Sequence, residues 1–361
     1  MNPLPKVRVS VRPKWRTVAI WALTTLVVIA SAAGFAWLGI ERSMQAPGPH
    51  TSAVRLHVVP GQGIRRVLAD LAAKGVIVDG RRTEFWLRLK GSGLRIKAGN
   101  YEIPAGASPL AILEQLRAGR VILEAVTVVE GATFAELRRA LETHPRIRST
   151  QRGRTAAEVM TALGRVGEHP EGRFFPDTYR FADGTTDLEI LDLAYRQMSV
   201  ELVEAWQERA SDLPLSTTAQ ALTLASIVEK ETARADERPQ IAGVYVTRLR
   251  RGMRLQSDPT VIYGLGDGYS GDIRKRDLER DTPYNTYTRF GLPPTPIALP
   301  GRAALRAATR PQETGAIFFV ATGEPDGSHF FSKSYEEHRQ GIARMLARQR
   351  QRGQLTHEGT P

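Results

Sequence analysis

"LTLASIVEKETARADER", residues 222–238, sets two carboxylates, Glu229 and Glu231, into an otherwise apolar run with helical spacing. Glutamates at the border of a buried face lower stability unless they are paired or used. At about 100° per residue, the apolar face passes through Leu224, Ala225, Ile227, Val228 and Ala235. Lys230 and Glu237 then point to solvent. Glu229 and Glu231 fall roughly 160° apart on opposite borders of that face, so they cannot form a close carboxylate pair. Glu229 has the small or hydroxylic neighbours Ala225, Ser226, Thr232 and Ala233, whereas Glu231 has Ile227 and Val228 one turn back and Ala235 one turn on. An aliphatic surround raises a carboxyl pKa, as a general acid working near neutrality requires, and Arg234 opposes that shift if it folds back. Glu231 is therefore the better acid candidate. Two structural glutamates held in ion pairs are the competing reading.

Upstream, Thr217 and Gln220 follow Pro214 and fit a capping box, which starts the helix at about residue 218. It is expected to continue towards "IAGVYVTRLRRG" (241–252). "GRFFPDTYRF" (172–181) is aromatic and turn-like, and "DLEILDLAYRQMSVELVEAWQERA" (187–210) is a strongly amphipathic helix. Residues 253–301 are rich in Pro, Gly, Tyr and Asn with little regular pattern, and so long a segment reads as a substrate-binding wall. "AIFFVATGEPDGSHFFS" (316–332) reads as a hairpin turning at Pro325, Asp326 and Gly327, and the polar end "RQRQRGQLTHEGTP" (348–361) as frayed.

The N-terminal third is different. "TVAIWALTTLVVIASAAGFAWLGI", residues 17–40, carries no charge. As a helix it spans ~36 Å, enough for a bilayer core of ~30 Å and too long for the core of a secretory signal. Lys6, Arg8, Arg12, Lys14 and Arg16 precede it with no acidic residue, so the N-terminus is expected in the cytoplasm and the rest exported. Trp15, Trp21 and Trp37 lie near its ends, where indoles favour the interface. After a Pro/Gly/Ser linker (41–54), a short strand, a turn and a leucine-spaced helix recur at "VVPGQGIRRVLADLAAKG" (58–75), "EIPAGASPLAILEQLRAG" (102–119) and "VVEGATFAELRRALETH" (128–144). Pro60-Gly61, Pro104 with Gly106, and Glu130-Gly131 supply the turns, while Gly75 and Gly119 are placed as helix C-caps. Such modules hold extended ligands or serve as an α+β spacer.

Composition removes whole classes of chemistry. The 361 residues include no cysteine, which excludes disulfides, thiol nucleophiles and Cys-ligated zinc. G-x-S-x-G, S-x-x-K, Gly-Lys and H-E-x-x-H strings are absent, so serine-hydrolase, phosphate-loop and metalloprotease signatures are missing, and neither a metal site nor a cofactor is expected. A net charge of +12 favours anionic surroundings or is a solvated arginine-rich surface. Export argues against nucleic acid as the partner. What remains is acid/base chemistry by a carboxylate beside an aromatic, amide-rich wall, a composition suited to carbohydrate.

The long motifs "LASIVEKETARADERPQIAGVYVTRLRRGMRLQSDPTVIYGLG" and "YNTYTRFGLPPTPIALPG", with "EGRFFPDTYRF" and "HFFSKSYEEHRQ", closely resemble the endolytic murein transglycosylases, the MltG or YceG-like family. The resemblance runs over nearly the whole chain and is weakest in the N-terminal tail and the C-terminal extension. It implies an α+β protein with a basic cytoplasmic tail (1–16), a transmembrane helix (17–40), the linker, a small LysM-like domain (55–122), a larger catalytic domain (123–345) and a polar tail (346–361). It further implies an inner-membrane enzyme that faces the periplasm, cuts peptidoglycan strands internally without hydrolysis, and acts near peptidoglycan synthases, terminating nascent strands. The family's essential glutamate maps onto the second Glu of "VEKE", Glu231. Gln256, Asp258, Tyr263, Asn285 and Tyr287 are the substrate-binding candidates by residue type, Asp258 and Asn285 being equally apt as turn formers. Glu229 is either a supporting partner or structural. A catalytically silent wall-binding scaffold that recruits synthases is the alternative of a different class, and a hydrolase drawing on Asp258 as a second carboxylate is a third.

Overall fold

A computed structural model describes residues 14–59, 61–91 and 95–358. The basic tail through residue 13, and Pro60 of the first expected turn, lie outside the described residues. The chain forms two compact units that divide between Leu123 and Glu124.

The first unit begins with α1 (Lys14–Gln45), which is long and apolar enough to cross a membrane from Val18 onward. Every side chain from residue 18 to 36 is exposed, as for a helix whose surroundings are lipid rather than protein. The helix does not stop at residue 40 and give way to a linker. It runs on to Gln45 because the small domain grips its last turns: Met44 is buried in the domain core and Glu41 accepts a hydrogen bond from the Trp86 indole at 3.0 Å. That domain pairs β1 (Val54–Val58) antiparallel to β2 (Gly99–Ile103), with Leu56 opposite Tyr101, under α2 (Ile64–Ala73), α3 (Gly80–Leu89) and α4 (Pro109–Ala118). Leu68, Leu71, Ile112 and Leu116 fill the core beneath the strands. Gly119 closes α4 in the left-handed region at φ +63, and Gly75 follows α2 at φ +67, the conformation for which each glycine was expected.

In the second unit β3 (Leu123–Thr127) pairs with β4 (Thr178–Ala182), and α5 (Phe134–Thr143) and α6 (Ala156–Ala162) pack beside them. The predicted amphipathic helix is α7 (Asp187–Gln207), and the predicted hairpin joins β5 (Phe318–Ala321) to β6 (His329–Ser332). At the centre lies α8 (Thr218–Glu231), started by the Thr217 cap; the reciprocal half of the expected capping box does not form, because the Gln220 side chain accepts the Ser216 amide at 2.7 Å instead of the Thr217 amide. It is enclosed by α7, α9 (Arg238–Arg250), α10 (Asp258–Leu265) and α12 (Arg302–Thr309). The two-sided helix read from the sequence is in fact buried all round from Ala221 to Glu229. Small residues make this possible: Ala221, Ala225 and Ser226 let neighbours approach, and the Ser226 hydroxyl accepts the Ile297 amide at 3.0 Å.

The expected continuation of α8 towards residue 241 does not occur. Thr232 is extended (φ −144, ψ 138), its hydroxyl accepts the Arg234 amide at 3.0 Å, and a new helix starts at Arg238 with Pro239 in its first turn. The wall from 253 to 301 is also more regular than expected, holding α10, a single 3₁₀ turn (Gly266–Gly268) and α11 (Lys275–Glu279). The C-terminal stretch expected to fray is helical in α13 (Tyr335–Glu358). Residues 359–361 lie outside the described residues.

Candidate active site

Glu231 is the last residue of α8, and its half-buried carboxyl lies at the helix's C-terminal end, where the peptide dipoles disfavour negative charge. Burial pushes this carboxyl up to about 7, and the nearby Asp258 charge adds to the shift. It has no ion-pair partner among the described residues. Ser257 donates its hydroxyl to Oε2 at 3.2 Å, and Tyr245 of α9, 1% exposed, brings its hydroxyl against the same carboxyl and Ser257 without reaching hydrogen-bond geometry. The Arg248 guanidinium lies close by but is committed to the carbonyls of Leu255 (2.5 Å) and Ile317 (2.7 Å). Glu231 is thus a carboxyl set among hydroxyl groups rather than cations.

Ser257 is held by its backbone. Its amide donates to the Thr286 hydroxyl at 2.9 Å, and its carbonyl accepts from Thr260 at 2.7 Å. The preceding Gln256 has φ +51, the one positive φ outside glycine among the described residues, and its amide donates to the Thr286 carbonyl at 3.1 Å. A non-glycine residue persists in that region only where its surroundings over-determine it. Here the strain aims Ser257 at Glu231, and the Gln256 side chain is exposed.

Glu229, two residues earlier, has the opposite environment. Its Oε1 accepts from buried Arg238 at 2.7 Å and its Oε2 from the Gly301 amide at 2.9 Å. Burial raises its pKa, while Gly301 and Arg238 pull it down. For Glu229 the ion-pair reading describes what the structure contains; for Glu231 it does not. The two expectations for their neighbours also change. Ala235 is not one turn beyond Glu231, because the helix has ended, and Arg234 turns away to Asp236 and Asp326. Glu237 is not solvated: its carboxylate receives the His329 amide at 3.0 Å and lies 2.7 Å from the His329 Nδ1.

Of the wall candidates, Asp258 and Tyr287 meet beside Glu231, the Tyr287 hydroxyl donating to Asp258 at 2.5 Å. Asn285 is turned into the protein. It is 1% exposed and its amide donates to the carbonyls of Asp277, Leu278 and Arg280 while its oxygen accepts the Tyr287 amide, so it is a staple for the loop. Tyr263 is likewise engaged elsewhere, donating to Glu171 at 3.0 Å. The sequence reading missed Ser257, Tyr245 and Glu171. Glu171 is 4% exposed, accepts the Phe134 amide at 2.9 Å and is pushed up to about 7 by burial. A lone acid opening an aromatic, Pro-rich segment was its only signal.

Glu231 lines an open depression of about 400 Å³ together with Glu130, Gly131, Lys230 and Thr232. Such a carboxyl can give a proton to a leaving oxygen bound there and take one back.

A family description, YceG-like, matches residues 56–344. The chain is 28% identical over 313 residues to the endolytic murein transglycosylase of Bacillus subtilis, covering 82% of this chain and 86% of that one. It is 25% identical over 326 residues to the Streptococcus pneumoniae protein of the same name, of which it spans 58%. The solved structure of a YceG-like protein from Listeria monocytogenes superimposes with a TM-score of 0.51 at 27% identity, over 80% of this chain and 99% of that one.

Proposed function

This chain belongs to the YceG-like family, and we propose that it is a membrane-anchored lytic transglycosylase, a lyase that cleaves peptidoglycan strands internally with Glu231 as its acid and base. The observation that carries this reading is the carboxyl raised to about 7, without an ion-pair partner, in the lining of an open polar depression. The names of the relatives supply the substrate class.

In this reaction protonated Glu231 gives its proton to the glycosidic oxygen as the bond from C1 of N-acetylmuramic acid breaks and N-acetylglucosamine leaves. The resulting carboxylate faces the cationic centre, and Asp258 adds a second negative charge beside it. The muramyl C6 hydroxyl then closes onto C1 and returns its proton to Glu231. No water is consumed, the carboxyl ends as it began, and the product is an anhydro-muramyl end. One carboxyl suffices because the nucleophile is already part of the substrate. Ser257 holds the carboxyl in place with Tyr245 packed against it, and Asp258 with Tyr287 forms one wall beside it.

The helix α1 supplies the anchor, with the N-terminus in the cytoplasm and the catalytic unit in the periplasm. The small unit, LysM-like in its succession of strand and helix, binds glycan or orients the catalytic unit. In that location its proposed role is to release nascent strands beside peptidoglycan synthases.

Digestion of purified peptidoglycan by the full chain in detergent, with the new ends identified by mass spectrometry, tests the proposal. Anhydro-muramyl ends support it. Reducing ends would assign hydrolysis with Asp258 activating water, and binding without cleavage would leave a scaffold.

A further inference from the structure

α3 is amphipathic in an unusual sense, since its outer face is apolar as well as basic. Thr83, Trp86 and Leu87 are buried against the domain core. On the other side Phe85 and Leu89 are 52% and 57% exposed and stand one turn apart, with Arg81 one turn before them. Exposed pairs of large apolar residues on a short helix call for a partner.

The position of α3 along α1 identifies that partner. The segment that starts α3, with Val78 and Arg82, lines one cavity with Ser43 and Met44 of α1 and with Ala46 just beyond it. The Arg82 guanidinium also lies against Gly39 of α1. Further along α3, the Trp86 indole donates to Glu41 at 3.0 Å. At the C-terminal end, the Lys90 ammonium lies 3.5 Å from Glu41 and stands over the Trp37 and Trp86 rings, 5.5 and 5.4 Å from their centroids. α3 therefore lies alongside the end of α1, and Lys90 at its C-terminal end reaches the level of Trp37, inside the last turn of the uncharged run 17–40. An ammonium stretched between two indoles and a carboxylate at that level is the arrangement of a lysine that keeps its charge in the headgroup layer.

We propose that the C-terminal half of α3, Phe85 to Lys90, docks into the headgroup and upper acyl layer of the bilayer that α1 crosses. Phe85 and Leu89 enter the acyl boundary, and Arg81, Arg88 and Lys90 meet anionic headgroups. The small unit is then fixed upright on the membrane rather than swinging on α1. The inference rests on α1 being a membrane span.

The absence of native cysteine permits single-site labelling. The full chain, carrying Phe85→Cys or Leu89→Cys with a nitroxide, is placed in nanodiscs of phosphatidylethanolamine and phosphatidylglycerol. Val27→Cys in α1 and Val166→Cys on the second unit, 55% and 76% exposed respectively, are the references. The readout is the ratio of collisions with oxygen to collisions with a water-soluble nickel chelate. The proposal expects ratios at 85 and 89 several-fold above that at 166 and approaching that at 27. Ratios at 85 and 89 equal to that at 166, with 27 immersed in lipid, overturn the docking and leave the span intact. A water-like label at 27 overturns the span and the docking with it. Exclusion of both quenchers at 85 overturns the proposal in favour of a protein contact, such as a second copy of the chain.

Discussion

Ser257 donates its hydroxyl to Glu231 across 3.2 Å, joining the last residue of α8 to the residue that precedes α10. This is a hydroxyl contact where Glu229, two residues earlier, has the Arg238 guanidinium at 2.7 Å. The two glutamates of one helix end therefore divide into a paired charge and a carboxyl kept available for proton transfer, and each half of that division has a measurable consequence.

Removing the charge of Glu229 leaves buried Arg238 with only the longer 3.7 Å contact to half-exposed Glu130, since the Glu229 and Arg238 side chains are only 3% and 8% exposed. Breaking a buried pair from one side costs ~3 kcal/mol. Glu229→Gln should lower the melting temperature of the full chain clearly, while its activity well below the transition stays close to that of the parent. An unchanged melting temperature with lost activity would contradict the structural role.

The pH profile follows from the protonated form of Glu231 being the acid. With the carboxyl at about 7, kcat/KM should fall above that pH, by about tenfold per unit. The Ser257 hydrogen bond holds the value down, so Ser257→Ala should move the alkaline limb to higher pH. Glu171 is also raised to about 7, and Glu171→Gln should leave the limb where it is. A limb that follows Glu171 and ignores Ser257 would reassign the acid.

Stability carries the same signature. Between the ordinary value of 4.5 and about 7, folded Glu231 keeps a proton that the unfolded chain has lost. Folding stability must therefore decline as pH rises through that window. Glu231→Gln should remove part of the decline and gain stability relative to the parent above pH 7, as urea titrations at pH 5 and pH 8 would read.

Gln256 sits at φ +51. Glycine adopts that conformation freely, and a β-branched residue does not. Gln256→Gly should be neutral to stabilising, and Gln256→Val should cost ~1–2 kcal/mol and lower kcat by displacing Ser257. Equal stability of the two variants would show that the strain is absent.

Asn285 makes three donor contacts to the loop carbonyls and accepts one amide, all with its side chain. Asn285→Ala should cost ~3 kcal/mol, because buried carbonyls and an amide lose their partners. The loss should appear as a lower melting temperature rather than as a weaker substrate affinity in the protein that remains folded.

Local signals make part of this structure legible in the sequence. The Thr217 cap, the left-handed glycines after α2 and α4, the hairpin and the long apolar helix α1 each depend on a few neighbouring residues, and each is found. The end of α8 was not legible, because residues 232–238 contain neither Gly nor Pro. What breaks the helix is tertiary: Arg238 turns back to Glu229, and Glu237 reaches the hairpin at His329. Glu231 was singled out for its aliphatic neighbours. Its raised pKa also depends on the helix terminus, Asp258 and Ser257, none of which helical spacing reveals. Ser257 lies 26 residues from Glu231 in the chain, with no periodicity to connect them. Asn285 and Tyr263 were chosen by residue type, which cannot distinguish a group that faces substrate from one committed to the protein.

The most direct measurement is the rate at which the full chain, beside its Glu231→Gln and Glu229→Gln variants, forms anhydro-muramyl ends on purified peptidoglycan at pH 6. The account predicts a fall of about 10²–10⁴-fold for Glu231→Gln, the usual contribution of a general acid, with Glu229→Gln active at temperatures where it is folded. Activity of Glu231→Gln within a few-fold of the parent would contradict the account and place the proton transfer on another group.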